Sequence, residues 1–276
     1  FILLHSSVRP LRQQFLTVHR RLLHYNLVSF CSDTSRGRHF YTADRMKRIL
    51  IRNTALFTFL WLVTACLPSG KNNTSLAENW IAEDESAAMQ LSSVSDTLDI
   101  VVPAGLTLWY NEPLTGEYEI SYHIAMLMEG GKQDRLSDLN CFWAANDPQY
   151  PDNIFARSEW RNGVFKNYNT LNLFYVGYGG NENTTTRFRR YYAEFYGVDD
   201  ARVKPLIAEY TDPAHLLVAG KWYHIVIRVE KKQTTYTVNG EELFRAPLKP
   251  GEGDGYFGLR LLQNHVLMTG FQIKQM

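Results

Sequence analysis

The sequence predicts an all-β fold, a sandwich or barrel, on three observations. Short segments rich in aromatic and branched residues recur through the C-terminal two thirds, turn-forming clusters separate them, and only one long stretch, 193–217, has helical potential. The expected strands, in order, are 98–110, 117–128, 138–144, 155–160, 171–178, 187–192, 222–230, 234–239, 255–262 and 266–273. Asn111-Glu112-Pro113, Glu129-Gly130-Gly131, Gly179-Gly180-Asn181 and the glycine-rich run from Pro250 to Gly255 supply the turns between them. Residues 222–229 alternate strictly, and Thr235-Tyr236-Thr237-Val238 returns to an Asn239-Gly240 pair suited to a tight turn. The 193–217 stretch is expected to form a lid or rim.

The first residues require separate treatment. Met46-Lys47-Arg48, an apolar run to Trp61 and Val63-Thr64-Ala65 before Cys66 read as a basic region, a short hydrophobic region and a small-residue cleavage site. The run is shorter than the roughly 20 apolar residues that a spanning helix needs. The sequence around Cys66 resembles the lipobox of bacterial lipoproteins, which implies acylation of Cys66 as the mature N-terminus and an exported protein facing the outer membrane or periplasm. Residues 1–45, with seven arginines between Arg9 and Arg45, read as a non-native upstream extension, 46–65 as a signal peptide, 66–77 as a polar tether and 78–276 as one domain, expected to be monomeric.

Charge narrows the class of partner. Residues 1–65 hold ten of 29 Lys+Arg and two of 28 Asp+Glu, leaving 19 against 26, a net −7 for the rest. An acidic domain argues against nucleic acid, whose phosphates call for a basic footprint. The basic residues are nevertheless gathered, at Arg157 and Arg161 and again at Arg187, Arg189 and Arg190, and a local field outweighs net charge in a cleft. Once Cys66 is acylated only Cys141 remains, so no disulfide is expected. No Cys/His spacing suggests a metal, although Asp254 is a candidate ligand of a structural calcium.

Two resemblances add to this reading. The pattern W-Y-H-I-V-I-R-V, T-Y-T-V-N-G-E-E-L and G-Y-F-G-L-R-L resembles the C-terminal half of concanavalin A-like (lectin/glucanase) jelly rolls, and so implies a β-sandwich of two antiparallel sheets. W-Y-N-E-P-L-T-G-E-Y-E-I-S-Y, S-D-L-N-C-F-W-A and F-Y-V-G-Y-G-G-N-E-N-T-T-T-R-F-R-R-Y resemble a family of secreted Bacteroidota proteins known as a domain of unknown function, over nearly all of 78–276. Locally, Arg157-Ser158-Glu159-Trp160-Arg161 is similar to a strand motif of jelly-roll alginate lyases, although this chain carries no Q-I-H or Q-V-H segment.

Strand alternation would set Arg157, Glu159 and Arg161 on one face, two cations around one carboxylate, which suits an acidic sugar. If the lyase resemblance extends to function, the chain cleaves a uronic-acid glycan by β-elimination. Arg157, Arg161 and Asn140 would then stabilise the developing enolate, and Tyr175 or Tyr178, read as sharing a face, would act as base with Glu159 nearby. Asp138, Trp143, Arg187, Arg189, Tyr191 and His215 complete the expected substrate contacts. Hydrolysis is the alternative enzyme class, for which Asp138 and Glu159 are the best carboxylate pair. A lipid-anchored glycan-binding module without catalysis needs only aromatic platforms and polar forks.

Overall fold

The computed structural model describes Leu76–Met276, so the upstream segment, the signal peptide and Cys66 lie outside the described residues. Fourteen strands form two sheets of seven, every pair antiparallel. The front sheet runs β1 (Trp80–Asp84), β4 (Gly105–Tyr110), β13 (Tyr256–Leu262), β6 (Leu139–Asn146), β7 (Asn172–Gly179), β8 (Thr185–Tyr191), β9 (Leu206–Tyr210). The back sheet runs β12 (Glu241–Pro247), β11 (Gln233–Val238), β10 (Trp222–Val229), β5 (Tyr118–Met126), β14 (His265–Gln275), β3 (Thr97–Val101), β2 (Gln90–Val94). The expected sandwich of two antiparallel sheets is therefore present.

Its main core lies between the sheets, where Leu106, Cys141, Trp143, Phe174 and Phe188 of the front meet Ile120, Tyr223, Ile225 and Tyr236 of the back. Trp143 stacks on Phe174, Phe188 and Tyr236, and its indole N–H donates to Thr234 Oγ1 across the gap at 2.8 Å. The front sheet is also covered on its outer face, where Trp109, Phe142, Tyr168, Leu171, Tyr175 and Tyr191 build a second cluster. Burial on both faces explains why β6 reads as a nearly unbroken apolar run.

Several expected elements are corrected. The 98–110 stretch is two strands in different sheets, β3 and β4. The 155–160 strand does not exist: Ile154–Arg157 is a single 3₁₀ turn and Ser158–Arg161 a single α turn, lying between β6 and β7. Local capping explains this, because Asn153 Oδ1 accepts the Phe155 N–H at 3.0 Å and Asn162 and Gly163 close the turn with φ of 41° and 71°. Gly163 has no alternative, since a Cβ there would fall 2.4 Å from the Gly105 carbonyl. The 193–217 stretch is not a long helix; it holds short turns at Ala193–Phe195, Asp200–Val203 and Pro213–His215 and the edge strand β9. The Asn239-Gly240 pair, with φ of 51° and 87°, joins β11 to β12, the backbone signature that this dipeptide favours.

Candidate functional site

The outer face of β6, β7 and β8 carries the residues that alternation directs away from the main core. Asn140, Gly177 and Arg187 form one cross-strand row, and Phe142, Tyr175 and Arg189 the next. The segment after β6 covers part of this face and brings Phe165 to its edge, while the Asp200–Val203 turn and Lys204 approach from the other side. Between them lies a groove of about 440 Å³, lined by Asp138, Phe165, Tyr175, Arg187, Arg189, Tyr191, Asp200 and Lys204 among others. Gly177 keeps its floor low: a Cβ there would sit 2.6 Å from the Tyr175 hydroxyl, so the phenol lies over a position that only glycine leaves open.

The charges in the groove divide sharply. Asp138 accepts from Arg135 Nη1 at 2.6 Å, from the Ser137 hydroxyl at 3.1 Å and from Asn140 Nδ2 at 3.2 Å. Arg187 is paired with Glu209 at 2.5 Å. Arg189 instead donates to a neutral acceptor, the Lys204 carbonyl, at 2.7 Å, and among the described residues neither Arg189 nor Lys204 makes a salt bridge. Burial, and next the Arg189 charge, pull the Lys204 amine below its ordinary range, with only Asp200 opposing. Its Nζ lies 5.1 Å from the Phe165 ring centre and 5.8 Å from that of Tyr191. Among the described residues the buried Tyr191 hydroxyl and Asn140 Oδ1 have no hydrogen-bond partner. Burial pushes both the Tyr175 and Tyr191 phenols up, so they stay protonated.

The structure thus brings Asp138, Tyr175, Arg187, Arg189 and Tyr191 to one groove, with Asn140 in the adjoining row. The other expected site residues lie elsewhere. Arg157, Glu159 and Arg161 share no strand face. Arg161 is fully buried, bound to Glu83 at 2.7 Å and to the Ile154 carbonyl at 2.6 Å; Arg157 holds Asp147 at 2.6 Å; Glu159 is exposed. Ser158 and Tyr168 also donate to Glu83, at 2.7 Å and 2.5 Å, completing a buried network that fastens this segment to β1. Trp143 and Tyr178 belong to the main core, and Tyr178 falls on the face opposite Tyr175, three residues apart being an odd step along a strand. His215 is held between Asp212 and Glu241, away from the groove. Sequence reasoning missed Phe165 and Lys204, because both lie outside strands and reach the site only through the path of their loops. Among the described residues, no group of three or more His, Cys, Asp or Glu side chains is arranged to hold a metal, and Asp254 accepts from the Gly116 N–H at 2.8 Å.

Comparison with solved structures agrees with the architecture. A Bacillus subtilis protein of unknown function with a galectin-like fold is 16% identical, with a TM-score of 0.55, over 72% of this chain and 90% of that one. A Bacillus subtilis carbohydrate-binding module, CBM66, is 11% identical over 71% of this chain and 96% of that one, with a TM-score of 0.46. A lichenase from a mouse hindgut metagenome is 10% identical over 74% of this chain and 93% of that one, with a TM-score of 0.40. No curated protein matches the chain in sequence. The family model that does match spans residues 100–271, and the chain belongs to that family, the domain of unknown function DUF6250.

Proposed function

We propose that the outer-face groove binds an acidic saccharide unit, and that the protein acts on or captures a uronic-acid-containing glycan. The observation that carries this reading is the pair Arg189 and Lys204, two cations in a partly desolvated groove that make no salt bridge among the described residues and whose charge the nearby Asp200 offsets only in part. Like charges held together out of water raise one another's free energy, and an anionic ligand relieves both. The rings of Phe165, Tyr175 and Tyr191 border the same space, apolar faces on which a sugar ring can pack. Binding without chemistry is the form these residues support best, since protonated phenols serve recognition and not proton abstraction. Anchored through an acylated Cys66, such a domain would hold glycan near the membrane.

One observation favours β-elimination as a second form. The Lys204 amine, held below its ordinary range by burial and then by Arg189, lies beside the Phe165 and Tyr191 rings where it would serve as the base, with Arg189 placed to stabilise an enolate. Hydrolysis gains no such support, because Glu159 is not in the groove and Asp138 is engaged by Arg135. The test is calorimetric titration with uronate and neutral oligosaccharides, on the wild type, Arg189→Gln and Lys204→Gln. Each variant is expected to weaken uronate binding about tenfold to a hundredfold, as the loss of a hydrogen bond to a charged group does. Equal binding of neutral sugars, or variants that bind uronate unchanged, would remove the assignment. Ultraviolet absorbance of an unsaturated product separates lyase from binder.

A further inference from the structure

A second concavity adjoins β8. Where β6 and β8 finish and β7 begins, a cavity of about 650 Å³ opens between the turn after β6, the 193–196 segment and the 249–253 loop. Arg190 lies at its base, 8% exposed, with its guanidinium carbon 4.7 Å from the Phe174 ring centre. Its terminal nitrogens reach the Pro247 carbonyl and the Tyr192 hydroxyl, and Glu252 lies 3.6 Å away, while Nε has no partner. Lys249 Nζ sits 4.4 Å from the Tyr192 ring centre, and Tyr196 is 45% exposed at the rim. The lining carboxylates, Glu194 and Glu252, equal its cations, Arg190 and Lys249. This cavity therefore differs from the groove in having no charge excess, and it offers tyrosine faces and carboxylates to a hydroxyl-rich group.

The two spaces are joined. Tyr191 lines both, and a shallow depression of about 310 Å³ shares Tyr192, Glu194 and Lys249 with the end cavity and Ala201 and Pro205 with the groove. The loop beneath that depression is fixed to β8 by the Tyr192 N–H to Val203 carbonyl bond at 2.8 Å and by Arg189 on the Lys204 carbonyl.

We infer that the end cavity is a second saccharide subsite, for a neutral pyranose unit of the same chain whose acidic unit occupies Arg189 and Lys204. The inference rests on the reading of the groove. The ligand is then an oligosaccharide of mixed composition, long enough to pass from the groove over 201–205 to the end of the sandwich, with an uncharged ring on Tyr196 and its hydroxyls on Glu194. Linking two contacts raises affinity without strengthening either one.

The experiment is titration with a galacturonate dimer and with a long oligosaccharide alternating galacturonate and rhamnose. Wild-type protein is expected to bind the long chain roughly tenfold more tightly than the dimer, the worth of one ring contact and its hydrogen bonds. Tyr196→Ala, at a rim position outside the core, should bring the long chain to the dimer's affinity and leave the dimer unchanged. Arg189→Gln should weaken both ligands. Equal wild-type affinities for the two ligands, or a long chain indifferent to Tyr196→Ala, overturn the second subsite while the groove stands. Failure of the wild type to bind either ligand overturns both.

Discussion

Two pairs of cations occupy the outer face of the front sheet and are treated in opposite ways. Arg157 and Arg161 meet two fully buried carboxylate side chains, Glu83 and Asp147, and Arg161 is itself inaccessible. Arg189 and Lys204 are half-buried at the groove and make no salt bridge among the described residues, with Asp200 offsetting their charge only in part. The first pair fastens a segment to β1; the second leaves positive charge where a ligand can neutralise it. An excess of charge over partners, and not the density of arginines, marks the site. The sharpest way to break this contrast is to remove an acid from the first pair. Glu83→Ala strands the buried Arg161 charge and is expected to cost about 3–5 kcal/mol in urea unfolding. Arg189→Gln, which gives up a hydrogen bond to the Lys204 carbonyl, should cost only about 1 kcal/mol. Comparable losses in both would show that the second pair also holds the fold.

A smaller effect is expected in the groove itself. Gly177→Ala sets a methyl 2.6 Å from the Tyr175 hydroxyl, and the buried ring must turn away. Overpacking of this kind costs roughly 1–3 kcal/mol, and the same displacement should reduce uronate affinity. Tyr175→Phe in the Gly177→Ala background removes the clashing oxygen and should recover part of the stability. No recovery would mean that the glycine is required for another reason.

These residues also show what the sequence could disclose. The sandwich was legible because β10 and β11 alternate cleanly and an Asn-Gly pair closes the hairpin beyond them. That Tyr175, Arg189 and Tyr191 share one face follows from strand alternation alone, which also sets Tyr178, three residues from Tyr175, on the other face. Arg157-Ser158-Glu159-Trp160-Arg161 misled for a physical reason: five residues suit a strand or a helical turn equally, and the deciding caps, Asn153 and Asn162-Gly163, lie outside the motif. The carboxylate that holds Arg161 is distant in the chain, Glu83 lying 78 positions away. Lys204 was hidden because a loop residue has no periodicity to give its direction.

Lys204 sharpens the contrast from the side of the free pair. Its folded pKa is lowered, first by burial and then by Arg189, so the folded state holds its proton less well than the unfolded chain does. The charged amine therefore costs stability at neutral pH, and that cost fades as pH rises through the ordinary lysine range. Lys204→Gln should raise the urea midpoint slightly at pH 7 while weakening uronate binding, a separation of stability from function that the Arg161 network would not permit. A lowered midpoint would place Lys204 with the structural cations.

His215 provides the mildest test, as a cation whose carboxylate partners are exposed. Its Nδ1 lies 2.7 Å from Asp212 and its Nε2 3.4 Å from Glu241, and the ring stacks on Tyr210 at 3.9 Å. The bond to Asp212 chiefly raises its pKa, burial opposes slightly, and Glu241 adds to the rise. A raised folded pKa means that protonation favours the folded state. The contribution is complete below the unfolded value and disappears as pH climbs through the folded one. Wild type should therefore lose a small increment of thermal stability between mildly acidic and mildly alkaline buffer relative to His215→Asn, with Glu241→Gln in between. Salt should shrink the difference, because this pair is open to water and screened there, whereas the Arg161 and Glu83 pair is not. A pH-dependent difference that survives high salt would mean that His215 is shielded as the first pair is, and exposure would no longer separate the structural cations from the rest.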